Sequence, residues 1–191
     1  GNKYKSKYLL MLYPTLSSIF AFNCIALMIN IYRAGIADIP VIQQIAEATW
    51  WPTYEPIVAP GQVRYMLDMF YNTEVLTQQI VSTEQVFLVL TDDNTPVGFA
   101  AYGPRKENTD VYKLYKLYCL PQTQGKGYGR MLVQKVQAAV KDAGKHILEL
   151  NVNRHNNAKA FYERMGFNLA YDEDIDIGEG FFMIDHVMRK E

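Results

Sequence analysis
Three glycines within five residues, Gly125, Gly127 and Gly129, constrain this chain more than any other feature. They follow the apolar, strand-compatible run Leu117–Leu120. Pro121 ends that run, because it has no N–H to give to a ladder. Removing three β-carbons lets the backbone turn tightly and approach a ligand. From Met131 the apolar period becomes helical, with Leu132, Val136, Ala139, Val140 and Ala143 on one face. A strand, a glycine turn and a helix in this order aim unsatisfied N–H groups at one point. Such a point suits a phosphate or pyrophosphate. Arg130 adds a fixed positive charge beside it.

An ordinary glycine-rich loop is one reading of this turn, since a short motif alone is weak evidence. A P-loop is excluded, because GxxxxGK[ST] is absent. A dinucleotide fold wants GxGxxG, and Arg130 stands where its third glycine would be. Glu149 lies about twenty residues on, where a ribose-binding acid would sit, but only a short tail follows.

A second block supports a fourth reading. Gln122-x-x-Gly125-x-Gly127 resembles the Q/R-x-x-G-x-G/A signature of the GCN5-related N-acetyltransferases (GNAT). The stretch NVNRHNNAKAFYERMGF, Asn151–Phe167, resembles that family's second motif through Asn156, Ala158, Phe161, Tyr162 and Gly166-Phe167. The two blocks stand in the family's order, one helix and one strand apart. The resemblance covers residues 28–191. It implies an α/β (α+β) fold: a mixed, mostly antiparallel sheet with splayed central parallel strands and helices on both faces.

The length of 191 residues suits one domain with a full core. A net charge of -1 gives no basic face for nucleic acid. Cys24 and Cys119 are the only cysteines, and the three histidines are scattered. A disulfide scaffold or a zinc site is therefore not expected, and both cysteines read as small buried hydrophobes.

Residues 1–27 form an extension outside the resemblance. Lys3, Lys5 and Lys7 precede an uncharged stretch, as in a signal peptide or membrane anchor. Pro14, Thr15, Ser17, Ser18 and Asn23 dilute that stretch, and N-terminal lysines would send the domain outward. The extension is read as a non-native addition or a packing arm, with no membrane partner and a cytoplasmic location near acetyl-CoA.

Beyond it, Ile29–Arg33 alternates as a strand. Asp38 caps a helix with Pro40 in its first turn, ending at Trp50-Trp51-Pro52. Helices are predicted over Gln62–Phe70 and Thr73–Ile80, and strands over Val86–Leu90, Val97–Tyr102 and Val111–Leu120. Asp93-Asn94 makes the first hairpin turn. In the third of these strands, alternation puts Lys113, Tyr115, Leu117 and Cys119 on one face and Leu114, Lys116 and Tyr118 on the other. Gly144 ends the central helix. The strand His146–Val152, the helix Asn156–Met165 and a hairpin of Phe167–Tyr171 with Phe181–Met188 complete the chain.

The resemblance implies an acyltransferase that moves an acetyl group from acetyl-CoA directly to a small-molecule amine or a protein amino group. The backbone of Leu117, Tyr118 and Cys119 would pair with the pantetheine arm. The run Gly125, Lys126, Gly127, Tyr128, Gly129 and Arg130 would hold the pyrophosphate through main-chain N–H groups. Asn156 would touch CoA, and the Cys119 N–H would meet the oxyanion. Tyr162 would give the leaving thiolate a proton or a hydrogen bond. No carboxylate occupies the family's two usual base positions, which here are Lys113 and Asn151. Glu149, Asp110, Tyr112, Tyr115 and Glu55 are other candidates, beside a water chain. Trp50, Trp51, Tyr54 and Tyr65 are candidate acceptor contacts or simply core aromatics. A non-catalytic acyl-CoA-binding module on the same fold is the alternative, and a homodimer is left open.

Five carboxylates, Asp172, Glu173, Asp174, Asp176 and Glu179, crowd the predicted loop between the last two strands. They read either as a solvated turn or as a lure for a cationic acceptor.

Overall fold
The computed structural model describes residues 28–191, so the expectations for residues 1–27 lie outside the described residues. Seven strands form one sheet. They are β1 (Ile29–Arg33), β2 (Val86–Asp92), β3 (Thr95–Pro104), β4 (Val111–Cys119), β5 (Ile147–Asn153), β6 (Asn168–Gly178) and β7 (Phe181–Lys190). Their order across the sheet is β1-β2-β3-β4-β5-β7-β6. Only β4 and β5 run parallel; every other neighbouring pair is antiparallel. Between β2 and β3, Asp93 and Asn94 both take positive φ, the two-residue turn that suits a right-handed strand twist.

Five α-helices among the described residues cover both faces: α1 (Ile39–Tyr54), α2 (Gln62–Phe70), α3 (Thr73–Val81), α4 (Tyr128–Asp142) and α5 (Ala158–Arg164). One core packs α4 and α5 against the sheet, with Leu132, Val133, Val136, Leu150 and Phe167 at its centre. The other packs α1, α2 and α3 against β2 and β3, with Ile42, Leu76, Phe87, Val89 and Phe99 fully buried.

Several boundaries differ from expectation, each for a local reason. Helix α1 does not end at Pro52 but runs to Tyr54. A helical proline loses an N–H bond and crowds the turn before it, at about 3 kcal/mol. Here Trp50 is buried against Tyr54 and Tyr71, with ring centroids 4.8 and 5.4 Å away. The Thr53 hydroxyl also donates to the Thr49 carbonyl at 2.7 Å. These contacts hold the last turn in place. Helix α5 starts at Ala158, after Asn157 at its N-cap, because the Asn156 side-chain oxygen accepts the Ala158 N–H in a turn ahead of the helix.

Strict alternation in β4 also fails. The register against β3 slips, with Ala101 opposite Lys116 and Tyr102 opposite Leu114, which leaves Tyr115 as a bulge. Leu114 is thereby turned to the α4 core beside Leu117 and Cys119. Lys116 and Tyr118 face the other core, where the Lys116 ammonium lies over the rings of Tyr71 and Phe87.

The predicted acidic loop is strand. β6 runs to Gly178, and the turn is only Glu179-Gly180. Paired with β7, the acidic run alternates, so Asp172, Asp174 and Asp176 are exposed while Glu173 turns inward.

Candidate active site
The two parallel strands part company halfway. Pairing between β4 and β5 runs from Val111–Ile147 to Leu114–Leu150 and stops. β4 continues along β3 to the Gly98–Cys119 pair, and β5 continues along β7 to the Asn153–Asp185 pair. Past Leu114 and Leu150, therefore, two strand edges face each other across a gap without joining. Edges of that kind carry unspent N–H and C=O groups. Leu117, Tyr118 and Cys119 lie on one of them.

The glycine turn opens beside this gap. Gly125 and Gly127 have φ of +85° and +83°, a region that side chains disfavour. A Cβ at either would meet no atom within 4 Å, so open space lies in front of both. Gly129 has a different reason: its missing side chain lets Phe161 of α5 approach to 3.5 Å of where a Cβ would be. Met131 N–H is the first in α4 to reach a carbonyl, that of Gly127 at 3.1 Å. The N–H groups of Tyr128, Gly129 and Arg130 ahead of it are free for a ligand among the described residues. Lys126 differs from its neighbours, because its N–H is spent on the Thr123 carbonyl at 3.2 Å. Its ammonium reaches Asp92 at 3.4 Å, and the Tyr128 hydroxyl donates to the same carboxylate.

Aromatic side chains line the gap. Tyr54 of α1 and Tyr118 of β4 bring their hydroxyls to 3.3 Å. Of the four aromatics singled out from the sequence, only Tyr54 reaches the gap this way. Trp50 is core, Trp51 lies under the Arg64 guanidinium, and the Tyr65 hydroxyl donates to the Ile177 carbonyl at 2.6 Å. Tyr162 of α5 stacks edge-on to Phe161 and Phe167. Its hydroxyl has no hydrogen-bond partner among the described residues. Burial, followed by the nearby Tyr54 and Cys119, pushes its pKa up, so it stays protonated. Burial also pushes the Cys119 thiol up to about 12. The Asn156 side-chain Oδ1 accepts the Ala158 N–H at 2.8 Å, which fixes the turn leading into α5.

Several base candidates are removed by their surroundings. Glu149 is 1% exposed and gripped by Arg105 on one oxygen and by Arg189, at 2.6 and 2.8 Å, on the other. Burial raises its pKa, but these two arginines outweigh that and leave it below the usual carboxylate value. Asp110 is exposed and paired with Lys145. The Tyr115 hydroxyl donates to the Pro104 carbonyl at 3.0 Å.

Sequence reasoning passed over Asp185. It is 4% exposed in β7, and its Oδ2 accepts from the Asn151 amide at 3.2 Å. The same amide gives a 3.1 Å hydrogen bond to Glu173 of β6. The available signal was one carboxylate inside the apolar run FFMIDHVM. Of the outward carboxylates, Asp172 is held by His186 at 2.6 Å and Asp174 is paired with Arg154, so neither is free to lure a cation.

Comparison with known proteins bears on the family and the fold. The family described as acetyltransferase (GNAT) domain matches residues 56–188. A spermidine N(1)-acetyltransferase from Thermoplasma acidophilum is 28% identical over 160 residues, covering 81% of this chain and 95% of that protein. A [ribosomal protein bS18]-alanine N-acetyltransferase from Haemophilus influenzae is 32% identical over 95 residues, 50% of this chain and 60% of that one. The crystal structure of the PaiA N-acetyltransferase from Thermoplasma acidophilum in complex with coenzyme A superimposes with a TM-score of 0.73. It is 25% identical, covering 86% of this chain and 99% of that one.

Proposed function
The chain belongs to the GNAT acetyltransferase family and is an N-acyltransferase, and from that premise we propose that it moves the acetyl group of acetyl-CoA directly onto a primary amine. The observation that carries this reading is the parted β4–β5 pair beside the open glycine turn. The pantetheine arm would lie along the free edge of Leu117, Tyr118 and Cys119. The pyrophosphate would sit on the free N–H groups of the Gly125–Arg130 run, with Lys126 and Arg130 supplying charge and Asn156 bordering the arm. Cytoplasmic location follows from the donor.

Chemistry then divides among few groups. The acceptor arrives as an ammonium, since an alkylamine pKa is near 10.4. It must lose a proton before its lone pair can attack the thioester carbon. The oxyanion needs a donor, and the Cys119 N–H on the free edge of β4 would supply it. Tyr162 meets the leaving sulfur. Its raised pKa makes full proton transfer to a thiolate uphill, so its contribution is a hydrogen bond to the developing charge. The Cys119 thiol, held at about 12, does not serve as an acyl carrier. Small polyamines and protein amino groups are the two acceptor classes, after the relatives that act on spermidine and on a ribosomal protein.

The test is release of CoA thiol from acetyl-CoA with a panel of amines, alongside a thermal-shift assay. Acetyl-CoA should raise the melting temperature, and at least one amine should release thiol. No shift with acetyl-CoA would overturn the reading.

A further inference from the structure
Asp185 and Glu173 converge from neighbouring strands on one neutral amide, that of Asn151. We propose that this trio is the seat of the acceptor's ammonium group, and that Asp185 takes its proton. The inference rests on the transfer reading above and names the residues that would receive its second substrate.

No cation is paired with the seat. Neither carboxylate makes an ion pair among the described residues. The charged and titratable groups facing Asp185 are Lys113 of β4, Glu173 of β6, Arg154 after β5 and Tyr54 of α1. Arg154 is already bound to Asp174, and the Lys113 ammonium lies over the Tyr115 ring. A carboxylate that is 4% exposed, with no ion pair and only the more distant charges of Lys113 and Arg154 to offset it, is costly unless a ligand completes it. Unmet acceptors also collect here. Asn151 Oδ1 is buried with no donor, and Asp185 Oδ1 accepts from no described residue. An ammonium has three donors and no acceptor, which is the complement of this set.

The seat also lies where the chemistry would occur. Leu148, Leu150 and Val152 face the α4 core, so Asn151, Asn153 and the paired Asp185 face the opposite side of the sheet, past the point where β4 and β5 separate. The Tyr54 phenol is near enough to Asp185 to feel its charge, and Tyr162 in turn lies near Tyr54. Burial and Glu173 raise the Asp185 pKa against Asn151, Lys113 and Arg154, so it is a stronger base than a surface aspartate.

The step balances without another reactant. The ammonium gives one proton to the Asp185 carboxylate, and the freed lone pair forms the C–N bond to the thioester carbon. The C–S bond breaks as the oxyanion collapses. The nitrogen gives up a second proton, and the thiolate takes one to leave as the thiol. The net products are amide, thiol and one released proton.

Calorimetric titration with spermidine and with alanine amide, run with and without CoA, tests the seat directly. Wild type should bind at least one of the two. Asp185→Asn should weaken that binding at least tenfold and Glu173→Gln severalfold. In turnover, Asp185→Asn should lose about a hundredfold or more in kcat. It should also lose the acidic limb of the kcat/KM pH profile and keep the KM for acetyl-CoA. Asp185→Glu should restore part of the rate. Asp185→Asn within threefold of wild type in binding and rate overturns the proposal, as does a wild type that binds neither amine. Because the titration without CoA needs no donor, it decides the seat even where the acetyl-CoA reading fails.

Discussion
Gly98 and Cys119 are cross-strand partners, and a methyl group on Gly98 would lie 2.8 Å from the Cys119 sulfur and 3.0 Å from the Tyr118 carbonyl oxygen. The bare backbone of β3 is therefore what lets the free end of β4 lie flat. Gly98→Ala should push that end toward the gap. Overpacking of this kind costs about 1–3 kcal/mol. Denaturant unfolding should show that loss, and acetyl-CoA should bind more weakly than to wild type.

The Cys119 thiol should be nearly inert. With its pKa near 12, only roughly one thiol in a hundred thousand is ionised at neutral pH. Alkylation by iodoacetamide should be far slower in the folded protein than in urea. Mass spectrometry during turnover should find no acetyl-enzyme. Cys119→Ala should keep most of its activity, because the backbone N–H remains.

Tyr162→Phe should separate chemistry from binding. The lost hydroxyl has no partner among the described residues, so stability should change by less than about 1 kcal/mol. The value of kcat should fall by at least tenfold while the KM for acetyl-CoA holds. An unchanged kcat would remove Tyr162 from the reaction.

Gly127→Val should cost stability only through its left-handed backbone, about 1–2 kcal/mol, since a Cβ there meets nothing. Its side chain would fill the open cradle. The melting-temperature rise with acetyl-CoA should therefore vanish in a protein that still folds.

Glu149 should govern acid stability. Its folded pKa lies below the unfolded one, so its contribution is complete above about pH 4.5 and disappears as pH falls through the folded value. Glu149→Gln should cost about 2–3 kcal/mol at pH 7. That is less than for a fully buried pair, because Arg189 is 39% exposed. The gap between mutant and wild type should narrow in acid, as read from urea titrations at several pH values.

Much of this was legible in the sequence. The glycine turn and the order of the elements follow from local periodicity, and the splayed pair was implied by the family resemblance that two motif blocks carry. What was hidden depends on register. The bulge at Tyr115 moves Leu114 to the other face, and no residue in β4 announces it. The acidic run looked like a loop because five carboxylates weigh against a strand, yet pairing with β7 gives Asp172 a partner in His186, and Arg154 after β5 meets Asp174. Asp185, Glu173 and Asn151 come from three strands, and only the sheet order brings them together.

The four-pair joint between β4 and β5 has a mechanical consequence. Every other neighbouring pair in the sheet is laced by five residue pairs or more, so this seam is the weakest line across it. Glu149 sits in its paired part, one pair short of where it opens, clasping Arg105 after β3 and Arg189 of β7 like a rivet. Thermal opening should begin at the free lips and stop there. Amide exchange should then be fast along Leu117–Cys119, slow at Lys113 and Leu114, and damped at the lips when a ligand strand bridges them.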